Sequence, residues 1–213
     1  MPNVVHVLDY GVGNLFSIAN ALRTCGAETV LASGPGDLKD AERIILPGVG
    51  AIGPAMRSLA ERNLVEAVRE RVLDGLPLLG ICLGMQILFD VSEEFGEHQG
   101  LGLVPGRVKM IPSVTVEGAP LRIPHIGWNR IGPVSPNGWS EGIFTDLAEG
   151  QAFYFVHSLT GWPDDEGHRL ADCAYGGHRI SAAVRNGNVC GVQFHPEKSG
   201  PAGLSVLRRF VAG

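Results

Sequence analysis

Four aliphatic runs in the first half of the chain, spaced by helix-length segments, restrict the possible fold more than any other feature. VVHVLDY (Val4 to Tyr10) is a short β-branched run, and GVGN then opens a helical pattern from Leu15 to Cys25 that stops at Gly26. ETVLA reads as a second strand and RIILPG (Arg43 to Gly48) as a third. Two helical stretches, Pro54 to Glu61 and Leu64 to Asp74, precede a fourth strand, LPLLGI. Leu-, Ile- and Val-rich strands alternating with helices imply an α/β chain whose mostly parallel sheet is covered on both faces. Ligands of such sheets bind at the carboxyl ends of the strands. ILPG and LLGIC both end there, which places Gly48 and Cys82 on one edge.

The second half changes character. From Leu103 onward LVPGRVKMI, QAFYFVHS, HRLADCAYGG, RISAAVR and NVCGVQFHP are shorter runs punctuated by Gly and Pro. They read as partly antiparallel strands, closed by a helix from Pro201 to Ala212. No repeat and no low-complexity linker divides the 213 residues, so residues 1–213 are expected to form one domain.

A net charge of -5 gives no electrostatic reason to expect nucleic acid or an anionic membrane as partner. No signal-peptide pattern and no apolar run of about 18 residues is present, so a cytoplasmic location is expected. Cys25, Cys82, Cys173 and Cys190 show neither CxxC nor close Cys/His spacing. Free thiols in a reducing compartment, and no metal site, fit that pattern.

Within PLLGICLGMQILF, Gly80-Ile81-Cys82-Leu83-Gly84 has the form of a G-x-nucleophile-x-G elbow with Cys in place of Ser. The apolar run gives way there to a helical pattern. The flanking glycines would let strand and helix approach a strained nucleophile, and the helix start would favour an anionic sulfur. The next backbone N–H would point at a developing oxyanion. Taken alone, the motif also describes a buried cysteine in a Gly-containing β–α turn.

A thiolate nucleophile needs an imidazole base and a group to orient it. VCGVQFHPEKS offers both, with His195 and Glu197 two positions apart at a strand end. On an extended segment such residues face the same side, about 7 Å apart. An isolated HPE is equally a surface turn; the elbow and this strand end together argue for chemistry. His6 reads as core or rim, and His98, His168 and His178, in polar turns, as solvated.

GICLGMQ with a downstream FHPEKS resembles the class I, triad-type glutamine amidotransferases. Within them the chain resembles the glutaminase subunits of imidazole glycerol phosphate synthases nearly end to end. The motifs are DYGVGNLFSIANAL, LPGVGAIGPAM, PLLGICLGMQILF, GLGLVPGRV, PHIGWN, YFVHS and GVQFHPEKSGPAGLSVLRRF. PGVG and HIGWN are the most specific to that branch.

The resemblance implies a flavodoxin-like three-layer sandwich, a central mostly parallel sheet with an antiparallel extension, and no cofactor. It implies hydrolysis of L-glutamine to glutamate and ammonia. The ammonia would pass, within a heterodimer, to a (β/α)8-barrel synthase subunit. That partner makes imidazole glycerol phosphate and aminoimidazole carboxamide ribotide, in histidine biosynthesis. Carried over by motif, Cys82 is the nucleophile, His195 the base and Glu197 its orienter. Gly48, Val49 and Gly50 belong to the oxyanion strand Pro47 to Gly50, with the Leu83 N–H as second donor. Gln86, Ser158 and Leu159 match glutamine-holding positions, and Asn14, Trp128 and Lys198 lie in partner-facing motifs. An oxyanion strand turned away in the free subunit would make PGVG a switch. Each of these residues also has a bland alternative: turn glycines at Gly48 and Gly50, a core Trp128, a solvated Gln86.

EEFGEHQGLGLVPG and HRLADCAYGGHRISAAV also resemble paralogues that supply ammonia to a sugar amidotransferase in surface-polysaccharide pathways. A thiol hydrolase or peptidase would not need the glutamine-holding motifs, and a non-catalytic regulatory module would not need the triad.

Overall fold

The computed structural model describes residues 3–135 and 139–213. The aliphatic runs form β1 (Asn3–Leu8), β2 (Ala27–Ala32), β3 (Ile44–Leu46) and β4 (Leu78–Ile81). Between them lie α1 (Leu15–Thr24), α2 (Ile52–Glu61) and α3 (Leu64–Leu73). Asn14 caps α1 by accepting from the Ser17 N–H at 3.2 Å, and Gly26, at φ +81°, lets the chain turn directly into β2.

After β4 come α4 (Leu83–Ile87), β5 (Phe89–Ser92), β6 (His98–Gln99) and β7 (Val104–Met110). The rest comprises β8 (His125–Pro133), β9 (Ala152–His157), β10 (Leu159–Pro163), β11 (Arg169–Tyr175), β12 (His178–Asn186), β13 (Val189–Val192) and α5 (Gly200–Ala212).

The main sheet has nine strands in the order β2-β1-β3-β4-β13-β12-β11-β8-β9. From β2 to β13 neighbours are parallel; from β13 onward they are antiparallel. The parallel part has the doubly wound order 2-1-3-4-5, with β13 as its fifth strand.

Alternation within the strands explains the three layers. Val5, Val7, Ile45, Leu79, Ile81 and Val192 share one buried cluster with α1 and α5. Leu8, Ile44, Leu46 and Leu78 turn to the other face, against Leu59, Leu64 and Val68 of α2 and α3. Burying both faces is what makes these strands uniformly aliphatic.

Three features depart from the sequence expectation. The helical pattern after Cys82 lasts only five residues, and Phe89 already begins a strand. The GLGLV segment ends the helix by taking its last carbonyls: Leu101 N–H donates to Ile87 O at 2.7 Å and Leu103 N–H to Leu88 O at 2.8 Å. A second sheet, β10-β7-β5-β6, stands beside the main one, a feature no periodicity in the sequence announces. His98 and His178 lie on strands rather than in solvated turns: the first faces Gly53, and the second bonds Val114 O at 2.8 Å. His6 is buried in β1, within the core-or-rim reading.

Candidate active site

Four neighbouring parallel strands deliver the site from their carboxyl ends. Tyr10 follows β1, Pro47 to Gly50 follow β3, Cys82 follows β4 and His195 follows β13. Cys82 has φ 56° and ψ −111°, a conformation that strains a residue with a side chain. Its backbone is over-determined: the Cys82 N–H donates to Val192 O at 2.8 Å, and Cys82 O accepts from Met85 N–H at 3.0 Å. Gly84 is required by contact, because a Cβ there would overlap the Leu46 carbonyl oxygen. A Cβ on Gly48 would sit 2.8 Å from the Tyr10 hydroxyl and 2.9 Å from Leu83 Cβ. These are close-approach glycines, which the reading as plain turn residues did not require.

The Tyr10 hydroxyl donates to Pro47 O at 2.5 Å, and burial, with the nearby Cys82 sulfur, pushes its phenol well above the ordinary range. Beyond Gly50 the Ile52 N–H donates to Glu94 Oε2 at 2.8 Å. The segment Pro47 to Gly50 is thus held at both ends, from β1 and from the β5–β6 turn. Gly50 has φ +92°, and Val49 remains 45% exposed at the pocket mouth.

His195 and Glu197 meet as expected but not by strand alternation. β13 ends at Val192, and Pro196–Lys198 is a 3-10 turn that folds the carboxylate back onto the imidazole. His195 Nδ1 lies 2.8 Å from Glu197 Oε1, with both side chains buried. Burial opposes a charge on His195, but the Cys82 sulfur and Glu197 carboxylate outweigh it and raise the ring to about 10. The second carboxylate oxygen, Oε2, and His195 Nε2 are buried and make no hydrogen bond among the described residues. An imidazole held by a carboxylate on one nitrogen and without a hydrogen-bond partner on the other can exchange a proton with a neighbouring thiol or its substrate.

Cys82, His195, Leu83, Gln86, Ser158 and Leu159 line one cavity of about 420 Å³, together with Val49 and Gly50. That volume suits a small-molecule ligand. Gln86 is buried rather than solvated; its Nε2 donates to Leu159 O at 3.2 Å and to Gln193 Oε1 at 3.0 Å. Both amide hydrogens are thereby used, which leaves only its carbonyl to meet a ligand.

The motifs carrying Asn14, Trp128 and Lys198 each have a contact close to the site. A Cβ on Gly13 would lie 3.2 Å from Pro47 Cβ, next to the site. Trp128, 59% exposed and so not core, meets Tyr154 edge-on at 6.2 Å, and Tyr154 O accepts from the His195 N–H at 3.0 Å. Lys198 is exposed on the turn that carries Glu197. The Asn14 side-chain oxygen is occupied by the α1 cap.

Sequence reasoning missed Glu94, Gln193, His125 and His157. Glu94 and His157 line the cavity, and Gln193 Nε2 donates to Cys82 Sγ at 3.8 Å. A polar residue inside an aliphatic or aromatic strand, as in GVQFH and YFVHS, was the available signal for Gln193 and His157. Glu94, in the acidic turn EEFGE, had none.

The described residues contain no group of three or more His, Cys, Asp or Glu suited to a metal ion, and no helix long and apolar enough to cross a membrane. The sequence profile described as Glutamine amidotransferase class-I matches residues 6–213. The chain is 44% identical over 208 residues to the imidazole glycerol phosphate synthase subunit HisH 1 of Legionella pneumophila (strain Lens), covering 97% of this chain and 98% of that one. It is 46% identical to the subunit HisH of Geobacillus kaustophilus (strain HTA426), with 98% and 96% coverage. Among solved structures, a chain of PurLQS from Thermotoga maritima superposes with a TM-score of 0.75 at 22% identity, covering 100% of this chain and 99% of that one. That likeness shows the class I glutamine amidotransferase fold. By its profile and its near-full-length relatives, the chain is an enzyme of the class I glutamine amidotransferase family, in the branch of the HisH glutaminase subunits of imidazole glycerol phosphate synthase.

Proposed function

We propose that this one-domain, cytoplasmic chain hydrolyses L-glutamine with a Cys82–His195–Glu197 triad and delivers the ammonia to a (β/α)8-barrel synthase subunit of histidine biosynthesis. The observation that carries it is a strained thiol and a carboxylate-held imidazole opening on one cavity of about 420 Å³. The names of the near-full-length relatives support the pathway.

The γ-amide is a poor electrophile with a poor leaving group, so each step needs help. Cys82 Sγ gives its proton to His195 Nε2, attacks the amide carbon and forms a C–S bond. The carbonyl oxygen takes the negative charge, facing the Leu83 N–H and a backbone N–H of Gly48, Val49 or Gly50. Collapse breaks the C–N bond, and the nitrogen leaves as ammonia with the proton of His195 Nε2. Water then attacks the thioester, His195 takes its proton, and the C–S bond breaks to release glutamate. Glu197 holds the ring in the tautomer that presents Nε2 throughout.

The ends of glutamine have fitting partners. The Ser158–Leu159 main chain suits the α-carboxylate. The Gln86 carbonyl and the Glu94 carboxylate, on the same cavity, suit the α-ammonium. Ammonia released into water would be protonated and lost as a nucleophile, so the exit needs a docked partner. Asn14, Trp128 and Lys198 are proposed to lie on that interface.

The test is a glutaminase assay of the purified chain with and without its barrel subunit. Glutamine hydrolysis that appears or rises on complex formation, with product made one-to-one with glutamate, is the expected result. A chain unresponsive to a histidine-pathway barrel but active with a sugar amidotransferase would move it to the polysaccharide branch.

A further inference from the structure

His157 and His125 are two buried imidazoles that the triad does not use, and their hydrogen bonds have a single possible direction. His157, at the end of β9, places Nδ1 2.8 Å from Leu159 O. A carbonyl oxygen only accepts, so Nδ1 carries the proton and donates. Nε2 of the same ring lies 3.0 Å from His125 Nδ1, across the β8–β9 ladder. Burial is the largest influence on each ring and lowers them to about 3 and about 4, so both are neutral. His157 Nε2 is therefore bare, and His125 Nδ1 must donate to it. His125 Nε2 is then the acceptor, 3.4 Å from Asn129 Nδ2. The amide cannot be reversed, because Asn129 Nδ2 also donates to Ala174 O at 2.8 Å and Oδ1 accepts from the Arg130 N–H at 2.8 Å. Every member of the chain has one allowed role.

The chain ends on an atom that matters to the cavity. Leu159 O accepts from His157 and also from Gln86 Nε2. Gln86 bonds Gln193, which donates to the Cys82 sulfur. The Leu159 carbonyl, and with it the C-terminal end of the Ser158–Leu159 pair, is thus anchored from behind by a file that begins on β8. His125 is itself held flat by stacking on Tyr175 at 4.0 Å and Phe155 at 5.1 Å. A purely packing role would be met by aromatic or aliphatic side chains, without desolvating two imidazoles.

We propose that His157 and His125 are positioning residues for glutamine: an Asn129→His125→His157 hydrogen-bond file that fixes the Leu159 carbonyl and so aims the Ser158–Leu159 N–H groups and Gln86 into the cavity. The inference rests on the glutaminase reading above. Neutral N–H···N links in series polarise one another, so the last donor, on Leu159 O, is the strongest.

Two measurements test it. Long-range nitrogen–proton spectra of the wild-type chain alone, near pH 7, should show both rings neutral with the proton on Nδ1, the minority tautomer of the free histidine side chain. Either ring protonated on Nε2, or doubly protonated, would overturn the file without any variant having to fold. Steady-state kinetics of the complex with its barrel subunit give the second measurement. His157→Leu should raise KM for glutamine about tenfold, the effect of one lost buried hydrogen bond, and change kcat less than about threefold. His157→Asn, whose amide can replace Nδ1–H, should recover most of that loss. His125→Phe, which keeps the stacking, should fall between. An unchanged KM in His157→Leu, or no recovery in His157→Asn, would overturn the positioning role. A wild-type complex inert toward glutamine would instead overturn the proposed function, while the tautomers would still decide whether the file exists.

Discussion

The parallel half of the main sheet and its antiparallel extension contribute different things to one cavity. β1, β3, β4 and β13 end in tight, strained backbone: a positive-φ cysteine, close-approach glycines, and a 3-10 turn that folds Glu197 onto His195. β8, β9 and β10 contribute hydrogen-bonded wall: His125, His157, and the Ser158–Leu159 main chain. The proposed chemistry sits where backbone is fixed by sterics, and the proposed recognition where it is fixed by side-chain hydrogen bonds. Steric constraints give all-or-none effects on substitution, and hydrogen-bond constraints give graded ones. Variants in the two halves should therefore differ in size and kind.

The largest expected effect is in the parallel half. Cys82→Ser should lower glutamine-dependent synthesis by at least about a thousandfold, leaving ammonia-dependent synthesis by the partner near normal. Retention of more than about a tenth, only about 1.4 kcal/mol of barrier, would remove Cys82 from the role of nucleophile. His195→Asn should be nearly as damaging, and the two losses should not add, because the residues act as a unit. Glu197→Gln should cost about 10²-fold, the low end for a general acid–base element, since it orients the base. Equal and additive losses across the three would contradict a triad.

How far the sequence revealed each half follows from the same contrast. Sterically forced backbone leaves glycines at fixed spacing, so the elbow and the PGVG segment were readable, and the aliphatic runs showed that the first half forms a mostly parallel sheet. The length of α4 was not, because its end is set by Leu101 and Leu103, residues from a later segment that take its carbonyls. His195 and Glu197 were paired for an imperfect reason: alternation suggested a shared face, whereas a turn makes the contact. The His125–His157 file was invisible because neither residue has a local partner; the pair is formed across a ladder between segments 32 residues apart. Glu94 reaches the cavity through the second sheet, which no periodicity announced.

A smaller and graded effect is expected in pH dependence. His195 is raised to about 10, so it adds stability that is full below its ordinary value of about 6.5 and is lost as pH rises through about 10. His125 and His157 are lowered, by burial, to about 4 and about 3. Their contribution is full above about 6.5 and is lost as pH falls through those values. The denaturation midpoint should therefore peak near neutrality. His195→Asn should flatten the alkaline limb and His157→Leu the acid limb. In Cys82→Ala, the His195 resonance should titrate below its wild-type value, because one of the two groups that raise it is gone. A limb unchanged by its own variant would break the assignment of that limb to the residue.

The smallest effect on rate, and the most specific in kind, is expected where the two halves meet at the surface. Trp128 stands on β8 beside Tyr154, and Tyr154 O bonds the His195 N–H, while Lys198 follows Glu197 on the turn. An antiparallel residue and a parallel-strand terminus would thus flank the proposed exit. A stable partner would bury at least about 1,000 Å² over it, and the seal would matter more than any single contact energy. Trp128→Ala removes an exposed aromatic that such a seal would cover, and Lys198→Ala an exposed charge at its rim, but neither touches the triad. Both variants, assayed in the complex, should hydrolyse glutamine at close to the wild-type rate. Less product should form per glutamate released, because ammonia escapes and is protonated in water. The ratio of product to glutamate is the measurement, and raising pH or adding external ammonia should restore product without changing glutamate release. A one-to-one ratio in both variants would take these residues off the interface and leave the exit to other parts of the face.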